Sequence, residues 1–429
     1  MNRIPRIALV ALFALVALSF VQAGGQQAGA GEGETVQEPN LLRIRSVDWL
    51  TQKAFIGEAA DKFMSEHPGM KVTFESFDGR QVNKYIIQWS GGKSDMDLLV
   101  VENPEDTAAF IMKDMLYSFD ELGFWESFPQ DKLVESILDV GTIREQVFYL
   151  PIMGEIYWIN TNKKMLQEAG VADADGNIPH PKTWDELVSM AGKATIGKQA
   201  GMSIRLDAGS TENSFYSAVK GLRGSFFKED GVTFVVDTPE TREILQAWRK
   251  GVENGWITTA TMTDRNAGRV AYTAGKLPLL YESGSRWPEA APFIGSANTG
   301  PLPYPEGLEG GSMLFVAGFA VPKKSEAPQT ALQFIEEIYM TDLFQSKMLN
   351  VYGKMPSLKS AYAFASSPEW EQMLTATRKS VPAPQYREHR VFTTGLADNI
   401  QAYLLGKQDL DACLKAVQEK LDSIDKRIY

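Results

Sequence analysis

The sequence predicts an α/β protein of two domains, in which mostly parallel sheets are flanked by helices. Strand and helix patterns alternate in the order β-α-β-α-β-α over residues 41–116, which is typical of a parallel sheet with helices on both faces. The chain has 429 residues, and a single hydrophobic core rarely organises more than about 250–300 residues. We therefore expect two domains.

The N-terminus has the pattern of a secretory signal peptide over residues 1–23. Arg3 and Arg6 precede an apolar run, and the small residues of VQA at 21–23 provide a cleavage site. We expect export across the inner membrane and a periplasmic location. Residues 24–40 are mostly Gly, Ala, Gln and Glu, which predicts a disordered tether.

Composition narrows the classes of partner. The formal net charge of −11 argues against nucleic acid and anionic membranes as partners. Cys413 is the only cysteine, so we expect neither an intrachain disulfide nor a lipid anchor at the cleavage point. His67, His180 and His389 lie far apart and predict no zinc or transition-metal site. We expect no cofactor, although an oxygen-only calcium site stays open.

Three strand patterns, separated by helix patterns, predict the first sheet. The strand patterns are LLRIRSVDW (41–49), MKVTFESF (70–77) and DMDLLVVE (95–102), and the helix patterns are TQKAFIGEAADKFMSEHPG (51–69), RQVNKYIIQWSGG (80–92) and PEDTAAFIMKDML (104–116). Ligands of such sheets lie beyond the carboxyl ends of the strands. This position selects Asp48, Trp49, Arg80 and Glu102 as binding candidates. The plainer interpretations are a tryptophan lid over the core, a surface arginine and a helix-capping acid.

The rest of the chain continues the alternation. The strand patterns are YLPIMGEIYWIN (149–160), KLPLLYESGSRW (276–287, turning into a loop) and LFVAGFAVPK (314–323), and the helix patterns are TNKKMLQEAGV (161–171), HPKTWDELVSMAGKAT (180–195), APQTALQFIEEIYMTDLFQSKML (327–349) and LDACLKAVQEKLDSIDKRIY (410–429). Thr183 and Glu186 have the T-x-x-E spacing of a capping box at a helix start.

Five segments match one known family in their residues and in their order along the chain. They are FMSEHPGMKVTFES (63–76), SGGKSDMDLLVVENPEDTAAFIMKDMLYSFDEL (90–122), VFYLPIMGEIYWINTNKKMLQEAGV with PKTWDELVSMAGKAT (147–171, 181–195), RVAYTAGKLPLLYESGSRW (269–287), and GGSMLFVAGFAVPKKSEAPQTALQFIEEI with YGKMPSLKSAY and IQAYLLGKQDLDACLKAVQEKL (310–338, 352–362, 400–421). The chain resembles the carbohydrate-type extracellular solute-binding proteins of ABC importers (solute-binding family one), which include maltodextrin-binding protein. Arg286 in GSRW is a departure, because many members have a shorter Gly-x-Trp there, and it leaves the identity of the sugar open.

The resemblance implies a two-lobe periplasmic-binding-protein fold, with a mostly parallel sheet flanked by helices in each lobe and a multi-segment hinge. The implied N-terminal lobe is 41–150 plus 306–349, the C-terminal lobe is 155–300 plus 350–429, and the crossings fall near 151–154, 301–305 and 350–354. Their Pro and Gly content suits a hinge in which a few backbone angles change.

Glu155 is a single carboxylate among aromatic side chains beside the first implied crossing. Alternation along a strand puts Glu155 and Tyr157 on one side and Trp158 on the other. A carboxylate accepts hydrogen bonds from sugar hydroxyls, and an aromatic ring covers the apolar face of a sugar. We therefore select Glu155 and Tyr157, against the alternative that the aromatic residues are core and Glu155 caps the next element.

Trp287 sits where the family keeps a stacking tryptophan, after a glycine that lets the backbone approach a ligand. Glu282 and Arg286 flank it. The Arg286 fork would suit vicinal hydroxyls or a carboxylate, so acidic sugars such as uronates stay open, as does a plain salt bridge. The further candidates are Gly311 and Ser312, where the family's Gly-rich turn faces the ligand, and Glu212 and Asn213.

The resemblance implies a non-enzymatic capture protein. The protein would be a monomer. It would bind a mono- or oligosaccharide in the cleft, close around it, and deliver it to the permease subunits of an ABC importer. Two alternatives stay open. One is a binding protein of the same fold for an acidic sugar, peptide, polyamine or other small solute. The other is a secreted glycoside hydrolase, which would need two carboxylates at a defined separation, although the chain has no G-x-S-x-G motif.

Overall fold

The computed structural model describes residues 40–92, 94–102, 105–228, 233–382 and 388–424. The predicted signal peptide lies outside these residues, and so does the predicted tether except for Asn40. Within the described ranges, no helix combines the length and the apolar composition that crossing a lipid bilayer requires.

The strands follow the predicted alternation and include several short edge pieces. In chain order they are β1 Leu41–Ser46, β2 Lys71–Ser76, β3 Leu98–Val101, β4 Leu116–Tyr117, β5 Thr142–Ile143, β6 Gln146–Val147, β7 Leu150–Asn162, β8 Met202–Ile204, β9 Ile257–Thr258, β10 Leu279–Ser283, β11 Thr299–Leu302, β12 Met313–Pro322, β13 Met355–Pro356 and β14 Val381–Pro382.

The helices lie between these strands. In chain order they are α1 Asp48–Lys53, α2 Ile56–Glu66, α3 Val82–Ser90, α4 Glu105–Ile111, α5 Phe124–Ser127, α6 Glu135–Leu138, α7 Lys163–Glu168, α8 Trp184–Lys193, α9 Thr211–Gly221, α10 Pro239–Glu253, α11 Ala267–Thr273, α12 Arg286–Ile294, α13 Pro328–Gln333, α14 Asp342–Lys347, α15 Glu369–Lys379, α16 His389–Leu404 and α17 Leu410–Ser423. Two π-helical turns, Phe334–Tyr339 and Met348–Tyr352, directly follow α13 and α14.

The main sheet has the strand order β2-β1-β3-β12-β7-β10-β8-β9. β1 pairs in parallel with β2 and β3, and β8 pairs in parallel with β10 and β9. The pairs at both ends are thus parallel, as the alternation over 41–116 predicts for the β1 end and as the family resemblance implies for the β8 end. The three central pairs, β3–β12, β12–β7 and β7–β10, are antiparallel. Two of them are antiparallel because β12 returns from late in the chain and enters between β3 and β7 in the reverse direction.

The long strand β7 is shared by two halves of this sheet. Its residues 150–156 pair with β12, and its residues 157–161 pair with β10. We call β2, β1, β3, β12 and the start of β7 the first half, and the end of β7 with β10, β8 and β9 the second half. A β-bulge occurs where β12 meets residues 151–153 of β7, and bulges bend a strand locally. The bend falls within the predicted crossing 151–154, while the lobe boundaries stay predictions.

Helices cover both faces of the sheet. All four residues of β3 are buried, as a continuous LLVV run predicts for a strand covered on both sides. Leu98 packs in one apolar cluster with Phe63 of α2, whereas the next residue, Leu99, packs in another cluster with Trp89 of α3. Successive side chains of a strand point to opposite faces, so α2 and α3 lie on opposite sides of the sheet.

Three predicted elements differ from the structure in detail. The helix pattern over 51–69 is split into α1 and α2, because Phe55 adopts a left-handed backbone conformation with φ 58°. The pattern over 327–349 consists of α13 and α14 with their π-helical turns. The loop predicted at the end of 276–287 is short, and Arg286 already begins α12.

The predicted cap of α8 is confirmed. Thr183 Oγ1 accepts a hydrogen bond from the Glu186 N–H at 3.1 Å. The Glu186 carboxylate accepts from the Lys182 N–H at 2.6 Å, one residue earlier than a standard capping box. Two backbone donors at the helix start are therefore satisfied.

Candidate functional site

The candidate site lies where β7 changes its pairing partner. Glu155 is in the part of β7 that pairs with β12, whereas Tyr157 pairs with β10. β13 joins β7 at Gly154 in antiparallel orientation, which brings the predicted crossing 350–354 alongside Glu155. Side chains from both halves of the sheet and from this crossing therefore meet in one place, which we call the junction.

Lys354 occupies the centre of the junction. Its side chain is 3% exposed, and its ammonium forms an ion pair with Glu155, whose side chain is 22% exposed. The ammonium donates to Ser283 Oγ at 3.2 Å and lies 5.4 Å from the centre of the Tyr352 ring. Burial lowers the pKa of Lys354 to about 7, against the opposing field of Glu102. Carboxylates from β7 and from the end of β3 therefore share one buried cation.

Tyr352 links the junction to the end of the first strand. Its ring centroid lies 6.4 Å from that of Trp49, which is 37% exposed. Burial raises the pKa of the Tyr352 hydroxyl; the field of Arg286 opposes this shift, and the fields of Glu102 and Glu289 add to it. Trp49 and Glu102, from the first half, therefore face the same tyrosine as Arg286, from the second half.

Glu282 is buried among three arginines. Its Oε1 lies 2.6 Å from Arg269 Nη2, 2.9 Å from Arg286 Nε and 3.3 Å from Arg205 Nη1. Burial by itself raises the pKa of Glu282, but the three guanidinium groups outweigh it and hold the pKa below its ordinary value. Arg286 is also paired with Glu289. Arg286 therefore lies between two carboxylates. Glu282 is the shared internal counter-ion of the three arginines.

Tyr157 and Asn213 lie together beside these arginines. The Tyr157 hydroxyl accepts a hydrogen bond from Asn213 Nδ2 at 3.5 Å, and it lies in the field of Arg205. The Tyr157 ring is buried, with its centroid 5.5 Å from that of Phe315. Glu212, one residue before Asn213, is buried in α9. Tyr157 thus has a core environment for its ring and a polar environment for its hydroxyl.

Trp287 fills the space between α12 and α15. Its side chain is 7% exposed, and its ring centroid lies 5.2 Å from that of Trp370. The indole N–H donates to Met373 Sδ at 3.4 Å, and the backbone N–H donates to Asn160 Oδ1 at 2.9 Å. Its predicted role of stacking on a ligand stays a prediction, because in this conformation both sides of the ring are largely covered.

Gly311 and Ser312 form a close backbone contact with the end of α15. Gly311 has φ 71°, and a Cβ added there would lie 2.4 Å from the Lys379 carbonyl oxygen. The Ser312 N–H donates to Ser380 Oγ at 2.9 Å, and its hydroxyl donates to the Tyr157 carbonyl oxygen at 3.3 Å. These contacts explain the glycine and the serine by packing, and ligand contact by either stays a prediction.

Ligand contact by two further candidates, Asp48 and Arg80, stays a prediction. Asp48 is exposed in the first turn of α1. The side chain of Arg80 lies outside the described part of the structure.

Four residues of this region are not among the candidates predicted from the sequence: Tyr352, Lys354, Arg205 and Arg269. Lys354 carried a detectable signal, because it is a charged residue between Gly353 and Met355 within a predicted crossing. The two arginines carried none, since arginines separated by many residues show no pattern until the fold brings them together.

Two other kinds of site find little support. Among the described residues, no three or more His, Cys, Asp or Glu side chains converge in the manner of a metal site. A shallow groove of about 450 Å³ between α16 and α17, lined by Val391, Asp398 and Lys420 among others, contains none of the predicted candidates. The junction is therefore the candidate site.

A protein-family model described as bacterial extracellular solute-binding protein matches residues 58–376. The chain belongs to the bacterial extracellular solute-binding proteins. No curated protein sequence matches this solute-binding protein.

Solved structures with low sequence identity share the fold of this solute-binding protein. The GacH receptor of Streptomyces glaucescens, solved unliganded and with acarbose, has 18% identity over 91% of this chain and 99% of its own, with a TM-score of 0.74. The substrate-binding protein Lmo0181 from Listeria monocytogenes, solved with cycloalternan, has 18% identity over 89% and 98%, with a TM-score of 0.72. Maltose-bound MalE3 of T. maritima has 17% identity over 89% and 99%, with a TM-score of 0.71. The two-lobe periplasmic-binding-protein fold and the resemblance to extracellular solute-binding proteins, both predicted from the sequence, are thereby confirmed.

Proposed function

We propose that this solute-binding protein captures a neutral mono- or oligosaccharide at the junction and delivers it to the permease of an ABC importer. Three similar solved structures are complexes with maltose, cycloalternan and acarbose. Because their sequence identity to this chain is low, these structures support the proposal only through the shared fold. The chemistry of the junction residues supplies the rest of the argument.

The pairing of charges at the junction is the observation that carries the proposal. Each described cation there already has a carboxylate partner: Lys354 with Glu155, Arg205 with Asp207 and Glu282, Arg269 with Glu282, and Arg286 with Glu282 and Glu289. An anionic ligand would have to displace one of these carboxylates, and it would also meet Glu102. A neutral polyol needs no counter-ion, and its hydroxyls donate to carboxylate oxygens. The charge arrangement therefore favours a neutral sugar over a uronate.

An accessible aromatic ring completes the chemistry that a sugar requires. Trp49 is partly exposed beside Tyr352, and aromatic rings bury the C–H faces of sugars while polar groups bind their edges. Glu102 and Glu155 approach the same tyrosine–lysine pair from different strands. The junction thus offers both a ring and hydroxyl acceptors.

Capture requires binding and closure, without covalent chemistry. A ligand that contacts both halves gains those contacts only when the halves approach, so it shifts the population toward a closed form. A micromolar dissociation constant, which corresponds to about −8 kcal/mol, would suffice for capture. The proposal therefore includes the absence of catalysis.

A ligand screen tests this function. Purified protein would be melted with maltodextrins of one to seven units, neutral monosaccharides and polyols, uronic acids, polyamines and tripeptides, and stabilising ligands would be measured by calorimetry. We expect stabilisation by neutral sugars alone and no new reducing ends after long incubation. Stabilisation confined to uronates, polyamines or peptides would overturn the choice of ligand, and released reducing ends would indicate a hydrolase.

Loss of uptake of the bound sugar in a strain lacking the gene tests delivery to a permease.

A further inference from the structure

The backbone places Lys354 directly across from Glu155. β13 pairs with β7 so that Met355 is opposite Gly154, and in an antiparallel ladder the preceding residue, Lys354, is then opposite Glu155. A lysine and a carboxylate on facing positions of two strands are within reach of each other. The ion pair between them therefore follows from the register of the sheet.

Other contacts prevent Lys354 from turning away. The residue before it, Gly353, packs against Pro288 at the start of α12, where an added Cβ would lie 2.7 Å from Pro288 Cγ. The Lys354 ammonium donates to Ser283 Oγ, and this hydroxyl is 2.7 Å from the hydroxyl of Ser285. The lysine is thus bound to β7, to the end of β10 and to the loop before α12.

Lys354 and Glu155 differ in how much of each side chain is exposed to solvent, and this difference indicates a role for Lys354. Lys354 is almost fully buried, whereas Glu155 keeps 22% of its side chain exposed. A buried ammonium is costly unless it is paired, so it holds its carboxylate in one orientation. The exposed part of the Glu155 side chain then faces solvent while its carboxylate is held in one orientation, as a binding group requires.

We propose that Lys354 is a positioning residue of the sugar site, which orients the Glu155 carboxylate for the ligand hydroxyls from behind. This inference rests on the proposed function and assigns Lys354 no direct ligand contact. Among the described residues, the titratable groups that face the ammonium are Glu155 of β7, Glu102 at the end of β3 and Tyr352 of the π-helical turn. β10 presents only the neutral Ser283 to it. Burial lowers the pKa of Lys354, and the ion pair with Glu155 opposes this shift. The positioning charge is therefore lost as pH rises through the lowered pKa.

Affinity measurements in a double-mutant cycle test the proposal. The variants are Lys354→Met, Glu155→Gln and their combination, with Lys164→Met as a control at an exposed lysine of α7. We expect Lys354→Met to weaken sugar binding at least tenfold, and to weaken it less than twofold in the Glu155→Gln background, because a residue that acts through Glu155 has no effect without it. Wild-type affinity falls between pH 6 and 9, whereas the affinity of Lys354→Met is flat, and Lys164→Met matches the wild type.

Two results with a binding wild type would overturn the proposal. One is an equal loss from Lys354→Met in both backgrounds, which indicates an independent or purely structural lysine. The other is a wild-type affinity that does not change with pH. If the wild type binds no sugar, the proposed function fails, and melting temperatures of the unliganded variants decide whether Lys354 holds Glu155. Shifts that are less than additive support the pairing, and additive shifts refute it.

Discussion

Trp49 and Tyr352 face each other edge to face, with their ring centroids 6.4 Å apart. Trp49 follows β1 in the first half of the sheet, and Tyr352 ends the π-helical turn Met348–Tyr352 that leads into the predicted crossing. π-helical turns often occur at functional sites, and this one directs a tyrosine ring at the junction. The contact therefore joins a strand end of one half to the segment that carries Lys354.

Trp49→Ala is expected to weaken sugar binding about tenfold. Aromatic contacts contribute roughly 0.5–1.5 kcal/mol beyond the area they bury, and this ring is the exposed partner of the pair. The melting temperature should stay within about 2 °C of the wild type, because surface truncations change stability by roughly 0.5 kcal/mol or less. Calorimetry and thermal melting measure the two quantities.

Phe74→Ala is the matched control for this change. Phe74 of β2 is an aromatic residue of nearly the same exposure, 38%, and it does not belong to the junction. It should bind sugar as the wild type does. Unchanged affinity in Trp49→Ala, or an equal loss in both variants, would remove Trp49 from the site.

Glu282→Gln is expected to lower the free energy of unfolding by about 3–5 kcal/mol, because removal of one partner from a buried charge cluster leaves the other charges uncompensated. Here the change leaves Arg205, Arg269 and Arg286 without their shared counter-ion. Urea unfolding at pH 7 measures the loss. Glu289→Gln removes a more exposed partner of Arg286 and should cost at most about 1 kcal/mol. Equal losses in the two variants would contradict the role of Glu282 as the buried hub.

Asp97 predicts how stability changes with acid. Its buried carboxylate accepts hydrogen bonds from the Arg43 guanidinium at 2.8 and 2.9 Å, from the Arg43 N–H at 3.0 Å and from the Ser325 hydroxyl at 2.8 Å. Burial raises the pKa of Asp97, but these bonds outweigh it, so the pKa lies below its ordinary value. The stabilisation is therefore complete above about pH 4 and is lost as pH falls through the lowered pKa.

Asp97→Asn should remove this dependence. We expect it to cost about 3–5 kcal/mol at pH 7, where Arg43 loses its buried partner, and to lose less stability than the wild type between pH 5 and 2. Urea unfolding at several pH values measures both effects. Asp61→Asn, at an exposed position of α2, should follow the wild-type profile. A wild-type slope that persists in Asp97→Asn would assign the acid sensitivity to other carboxylates.

Much of the fold could be predicted because it depends on local patterns. The LLVV run of β3 is buried on both faces as predicted, and Thr183 caps α8 as predicted. The break between α1 and α2 could not be predicted, because it depends on the left-handed backbone conformation of Phe55. No turn-forming residue at this position indicates that conformation. The antiparallel entry of β12 also depends on a long-range return of the chain, which a sequence pattern does not encode.

The candidate site was harder to predict, because it depends on which distant side chains meet. Position at strand ends selected Glu102 and Trp49, and both face Tyr352 in the structure. Glu155 was selected for its isolation among aromatic residues, but its partner Lys354 was not, since their pairing depends on the register of β13 against β7. Arg286 was considered for a fork or a salt bridge, and only the fold shows the carboxylates on either side of it.

Gly353→Ala is expected to lower both stability and affinity. Gly353 has φ 79°, and an added Cβ would lie 2.7 Å from Pro288 Cγ, so the change adds backbone strain and pushes the start of α12 away from Lys354.

Gly69 provides a control with the same kind of backbone, because it has φ 95° and, among the described residues, no heavy atom lies within 4 Å of an added Cβ. Gly69→Ala should cost only the left-handed strain, about 1–2 kcal/mol, and leave affinity unchanged. Gly353→Ala should cost about 1–3 kcal/mol more, because overpacking is added, and should weaken binding as the Lys354–Glu155 pair shifts. Urea unfolding and calorimetry on both variants compare these effects, and equal behaviour of the two alanines would show that the contact with Pro288 does not hold the junction in place.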